Sequence, residues 1–143
     1  MNITSVSDKS KVLIDSDGLI ASYFVGDANH EVGSKIFKKL IESNAPLFVV
    51  NLVILEVATV LSHKVNQATA MDFVSRFHKL PITQITVDRK LEAMAWKLFH
   101  KQTKKGISFV DCANLVCIEQ KGLDGIFSFD KFYSRELRVV GRI

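Results

Sequence analysis

The chain of 143 residues is 48% hydrophobic and 24% charged, the balance of a single globular domain, which excludes a disordered or collagen-like chain. Its 19 Lys and Arg against 15 Asp and Glu leave a formal net charge of +4, an excess that admits a polyanionic partner without requiring one. The longest apolar stretch, residues 47–61, is broken by Asn51, Glu56 and Thr59 and falls short of the roughly 20 residues a membrane crossing needs. The first residues carry Asp8, Asp15 and Asp17 with no basic region before an apolar block, so no secretory signal is expected. One domain over 1–143, cytoplasmic and without a membrane partner, is the expectation.

In chain order, Lys11-Val12-Leu13-Ile14 is a short apolar run that predicts a strand buried on both faces. From Asp27 and Asn29, both able to cap, Val32, Ile36 and Leu40 recur at helical spacing, with Glu31, Lys35, Lys38 and Lys39 as the polar side. Pro46 opens a second strand through Val50, and Asn51 is expected to cap a helix through Leu55, Ala58 and Leu61. A helix over 68–80 and a strand over 82–87 follow. Asp88 is expected to cap a helix over 91–102, and Ser108 to start one reaching 120. Residues 125–128 predict a strand and 137–140 a last one. Short apolar strands alternating with helices predict an α/β domain on a mostly parallel sheet. Such sheets gather ligands at the carboxyl ends of their strands, near the switch point.

Cys112 and Cys117 lie five apart in one apolar segment, a spacing that matches no usual zinc pattern and suits no disulfide within one helix. Both are expected to be small buried hydrophobes, in keeping with a reducing compartment. His30, His63, His78 and His100 fall beside none of the acids discussed next and read as surface or helix-face residues.

Five acids stand in apolar surroundings: Asp15, Asp17, Glu56, Asp111 and Asp130. Stripping water from an unpaired charge costs several kcal/mol, so each is a helix cap, half of a buried ion pair, or part of a site. Their places favour a site. Asp15 and Asp17 follow the first strand, and Asp130 follows the strand over 125–128. Glu56 sits in the helix after the second strand. Asp111 is in the first turn of the helix starting at Ser108, where the helix dipole also favours an anion. In a parallel sheet all these points lie toward one edge. Like charges about 4 Å apart repel by about 4 kcal/mol at an effective dielectric of about 20, so such a cluster needs protons or cations. Oxygen donors without His or Cys suit Mg²⁺ or Mn²⁺.

Four segments carry a family resemblance: Val-Leu-Ile-Asp15-Ser-Asp17-Gly-Leu-Ile, Asn-Leu-Val-Ile-Leu-Glu56-Val, Gly-Ile-Ser-Phe-Val-Asp111-Cys-Ala-Asn and Ile-Phe-Ser128-Phe-Asp130-Lys-Phe. In this order and at these separations the chain resembles PIN-domain proteins, and more narrowly the VapC-type toxins of toxin–antitoxin pairs, from Val12 to about Val140. Asp17 departs from the pattern, which usually has Asn or Ser there. The resemblance implies a three-layer domain with a central parallel sheet flanked by helices, often a homodimer, acting as a metal-dependent ribonuclease whose toxin form pairs with a VapB-like antitoxin. It implies an active site of Asp15, Glu56, Asp111 and Asp130. Asp15 and Asp111 would be the main ligands of Mg²⁺ or Mn²⁺, with Asp130 a ligand directly or through water. Glu56 would hold a metal-bound water or act as base. Ser128 either orients Asp130 or bonds backbone, and Asp17 either adds charge or bonds the following turn. Lys101, Lys104, Lys105, Lys131 and Arg135 flank these motifs; they are either a solvated surface or contacts that position an RNA backbone without reading sequence.

Two rivals stay open. Asp15-Ser-Asp17-Gly also resembles the first motif of haloacid-dehalogenase-like phosphatases, with Asp15 as nucleophile and Asp17 as general acid. That reading leaves Glu56 idle and lacks a later metal motif. A PIN-like scaffold that binds RNA without cleaving is expected to lose acids, and all four positions are acidic here.

Overall fold

A computed structural model describes residues 10–140; Asp8 and residues 141–143 lie outside the described residues. The central strand β1 (Val12–Ile14) has every residue buried, as a strand covered on both faces must. It pairs in parallel with β2 (Leu47–Val50) on one side and with β4 (Gly125–Phe127) on the other. The strand β3 (Ile82–Ile85) pairs in parallel with β2, so the sheet order is β3-β2-β1-β4.

Among the described residues six helices occupy the connections: α1 (Ser16–Tyr23), α2 (His30–Glu42), α3 (Asn51–Lys64), α4 (Gln67–Phe77), α5 (Arg89–Phe99) and α6 (Phe109–Lys121). From β1 the chain steps to β2 and then β3 in one direction, then returns to the far side of β1. Right-handed crossovers therefore place α1 to α4 on one face and α5 and α6 on the other. The packing agrees: α1 lies against α2 and α3, α3 against α4, and α5 against α6. Strand order reverses between β1 and β4, which puts the ligand crevice just beyond Ile14 and Phe127. Among the described residues no helix is long and apolar enough to cross a membrane.

Local chemistry explains most boundaries. Asn66, Asp88 and Ser108 cap α4, α5 and α6 by accepting from Thr69 N, Leu91 N and Asp111 N. Gly122 ends α6 with φ of 62°, a left-handed conformation that suits glycine. Gly18 in α1 is needed for close approach: a Cβ there would stand 2.7 Å from Phe127 O. Cys112 and Cys117 are buried and free.

The structure corrects three expectations. The helix α1 follows β1 at once, where the sequence suggested no element; its buried Gly18, Leu19 and Ala21 leave no polar face to announce it. Asn51 does not cap α3. Val50 holds the cap position without a side-chain bond, and Asn51 Oδ1 instead accepts from Val87 N at 3.0 Å, tying the chain after β3 to the start of α3. The strand expected over 137–140 is a single parallel bridge between Arg138 and Ile126, because the turn closed by Ser134 O to Leu137 N and Arg138 N delivers the chain to β4 only briefly.

Candidate active site at the carboxyl edge of the sheet

Asp15 immediately follows β1 and is 4% exposed. Its Oδ1 accepts from Ser16 N at 2.8 Å and Asn114 Nδ2 at 3.0 Å, and its Oδ2 from Ser128 Oγ at 2.9 Å. Asp17 turns the other way. Its Oδ2 accepts from Phe129 N at 2.9 Å and lies 3.3 Å from Ser128 Oγ, while its Oδ1 is buried without a partner among the described residues. Ser128 has one proton for two carboxylates, and the shorter contact assigns it to Asp15. The Ser128 oxygen in turn accepts from Asp130 N at 3.1 Å, so one buried hydroxyl joins the ends of β1 and β4.

Asp111 is the third residue of α6 and completes a capping box: its Oδ2 accepts from Ser108 N, and Ser108 Oγ accepts from Asp111 N, both at 3.0 Å. Its Oδ1 is left for the Tyr133 hydroxyl at 3.3 Å. One carboxylate thus caps α6 with one oxygen and meets Tyr133 with the other. Asp130 is exposed on the turn after β4, with Oδ1 accepting from Phe132 N at 2.9 Å. Glu56 is half-buried on α3, with the Ser16 side chain close to its carboxyl.

The electrostatics place the acids together. Burial raises the Asp15 carboxyl, and Asp111 and Asp130 raise it further. Burial and then Asp15 push Asp17 up to about 7. Glu56 is raised by burial, then by Asp15 and Asp111. Three ion pairs, Glu31–Lys35, Glu42–Lys38 and Asp72–Arg76, lie on the surface. None of the three involves the clustered acids, a hard-oxygen donor set that fits a divalent cation in chemistry. Among the described residues no three His, Cys, Asp or Glu side chains close on one point as a finished cage. The fit is therefore one of charge and donor type.

Beside the cluster opens a cleft of about 430 Å³ whose walls include Asp130, Lys101, Lys104, Lys105, Lys131 and Phe132. Arg135 is exposed and lies outside that lining. A larger hollow, about 530 Å³ between α3 and α4, carries none of these acids, so size alone does not mark the chemistry. The histidines stay apart from the acids: His30 and His100 bond Ala21 O and Trp96 O, and His63 and His78 are exposed.

Two residues of the site went unread in the sequence. Asn114 and Tyr133, 0% and 1% exposed, bond each other and reach Asp15 and Asp111. The signal for Asn114 was an amide one turn after Asp111 in the apolar run from Cys112 to Ile118; Tyr133 gave none.

A family model of the PIN domain matches residues 13–135. No curated protein matches by sequence. Among solved structures, VapC20 of Mycobacterium tuberculosis, described as a sarcin-ricin-loop-cleaving toxin, shares 20% identity. It superposes with a TM-score of 0.75 over 83% of this chain and 89% of its own, a likeness of fold.

Proposed function

The chain belongs to the PIN domain family, and from that premise we propose that it is a metal-dependent endoribonuclease, the toxin of a toxin–antitoxin pair. What supports the reading is that Asp15, Glu56, Asp111 and Asp130 act on one another electrostatically beside the point where strand order reverses. Asp15, Asp111 and Asp130 would hold Mg²⁺ or Mn²⁺. When bound, the ion supplies Lewis acidity toward the phosphodiester during in-line displacement.

The remaining work falls to the chain. Glu56, raised by burial and by two neighbouring carboxylates, is the base that takes a proton from the attacking water. Ser128 fixes the backbone of Asp130 against Asp15. Asp17 is committed to Phe129 N, a structural tie that leaves it ill placed for the proton shuttling a phosphatase would ask of it. The four lysines of the neighbouring cleft bind the RNA backbone. The fold shared with an RNA-cleaving toxin supports RNA as substrate and a VapB-like antitoxin as partner. A second copy of the chain, in a homodimer, is the other protein partner of this reading.

The test is a side-by-side assay on single-stranded RNA and a small phosphomonoester in saturating Mg²⁺. Glu56→Gln is expected to lower RNA cleavage by about 10²–10⁴-fold, and Asp17→Asn to leave most of it. Loss of phosphomonoester hydrolysis in Asp17→Asn with Glu56→Gln unaffected, or RNA cleavage unchanged by EDTA, overturns the proposal.

A further inference from the structure

We infer that Asn114 and Tyr133 are positioning residues that hold Asp15 and Asp111 at a fixed relation for a divalent cation; the inference rests on the metal reading above. Asn114 lies three residues after Asp111 on α6, fully buried between the two carboxylates. An amide nitrogen only donates, and its two hydrogens are both assigned: one to Asp15 Oδ1 and one to Tyr133 Oη, each at 3.0 Å. The phenol oxygen, having accepted from Asn114, keeps one hydrogen of its own. It donates this to Asp111 Oδ1 at 3.3 Å. Every link in the chain Asp15–Asn114–Tyr133–Asp111 therefore has a forced direction. Two carboxylates from separate elements are joined through neutral groups, which bring no cation to compete with a metal.

The pairing has a cost that points the same way. With its nitrogen turned to Asp15, Asn114 leaves Oδ1 buried without a partner among the described residues, an arrangement an apolar side chain would avoid. Turning the amide over would set its carbonyl against the Asp15 carboxylate. The residue serves its nitrogen's contacts at the expense of its oxygen. Tyr133 is among the largest fully buried side chains, and a phenylalanine would fill the same space; only the hydroxyl reaches Asp111. Partners that orient metal ligands typically contribute 10–100-fold in metal affinity or activity.

The experiment measures Mn²⁺ binding by titration calorimetry on the whole chain without RNA, together with urea unfolding in EDTA and cleavage of single-stranded RNA. Tyr133→Phe is expected to weaken Mn²⁺ binding by about 10–100-fold and to lower cleavage in step, with the urea midpoint little changed. Asn114→Ala is expected to weaken binding at least as much. The double variant should bind no worse than Asn114→Ala alone, because one broken link already uncouples the two acids. Cys117→Ala, buried on the same helix but outside the chain of bonds, should lose stability and keep Mn²⁺ affinity. Wild-type affinity in both Tyr133→Phe and Asn114→Ala, or an equal loss in Cys117→Ala, overturns the inference alone. A wild-type protein that binds no Mn²⁺ overturns the metal reading and the inference with it.

Discussion

Replacing Asp17 by Asn removes a buried charge while keeping the shape and the acceptor that holds Phe129 N. In the folded chain burial and the adjacent Asp15 push the Asp17 carboxyl up to about 7 from 3.8. A folded value above the unfolded one means that the group's contribution is whole below about pH 4 and is lost as pH rises through about 7. At about 1.4 kcal/mol per tenfold change in proton affinity, the interval between 3.8 and about 7 amounts to roughly 4 kcal/mol at pH 8. Asn escapes that penalty. Its amide hydrogens, however, face the place where Asp17 Oδ1 has no partner, which costs about 1–3 kcal/mol at every pH. Asp17→Asn is therefore expected to be less stable than the native chain at pH 4 and more stable at pH 8, by about 1–3 kcal/mol in each direction. Urea unfolding of both proteins in EDTA from pH 4 to pH 8 gives the two curves. A stability difference that stays constant over that range refutes the reasoning.

With Glu56 as the base, kcat/KM for RNA should climb with pH as its carboxyl ionises, and Glu56→Gln should erase that acid limb along with most of the rate. Lys104→Ala and Lys131→Ala should each weaken RNA binding alike for all sequences and flatten its logarithmic salt dependence by about 0.7, checked by titrations at several salt concentrations. Mn²⁺ should raise the melting temperature of the native protein, since a ligand of the folded state alone stabilises it. Asp111→Asn should blunt that rise in a thermal scan, and an equal rise in both proteins would count against Asp111 as a ligand.

The acids were legible because a charge inside an apolar run contradicts its surroundings. Asp15 after Val12-Leu13-Ile14 and Asp111 after Phe109-Val110 both announce a reason other than solubility. The strands were legible for a related reason: β1, β2 and β4 are covered on both faces and so read as continuous apolar runs. Polarity without contradiction hid the rest. Asn51 looks like a cap in sequence, and only the fold brings Val87 N to it. Tyr133 looks like a core aromatic, which it is; that its hydroxyl ends 3.3 Å from Asp111 depends on how the turn after β4 packs under α6. The helix α1 was hidden by burial, which removed the alternation that reveals α2.

The strand β4 meets the sheet only beside β1, and the bond from Lys11 N to Asp124 at its mouth spans 113 residues of sequence. The pairing of β1 with β2, and of β2 with β3, closes much shorter stretches of chain. Contacts of long separation form late, because chain entropy is lost before they contribute. The docking of β4 is therefore expected to close the folding reaction, with Ser128, Asp130 and Tyr133 arriving with it. The helices and most of the sheet would then form before the candidate site is complete. In a refolding experiment, recovered RNA cleavage should lag the far-ultraviolet helix signal, and coincident traces would show that β4 docks with the rest.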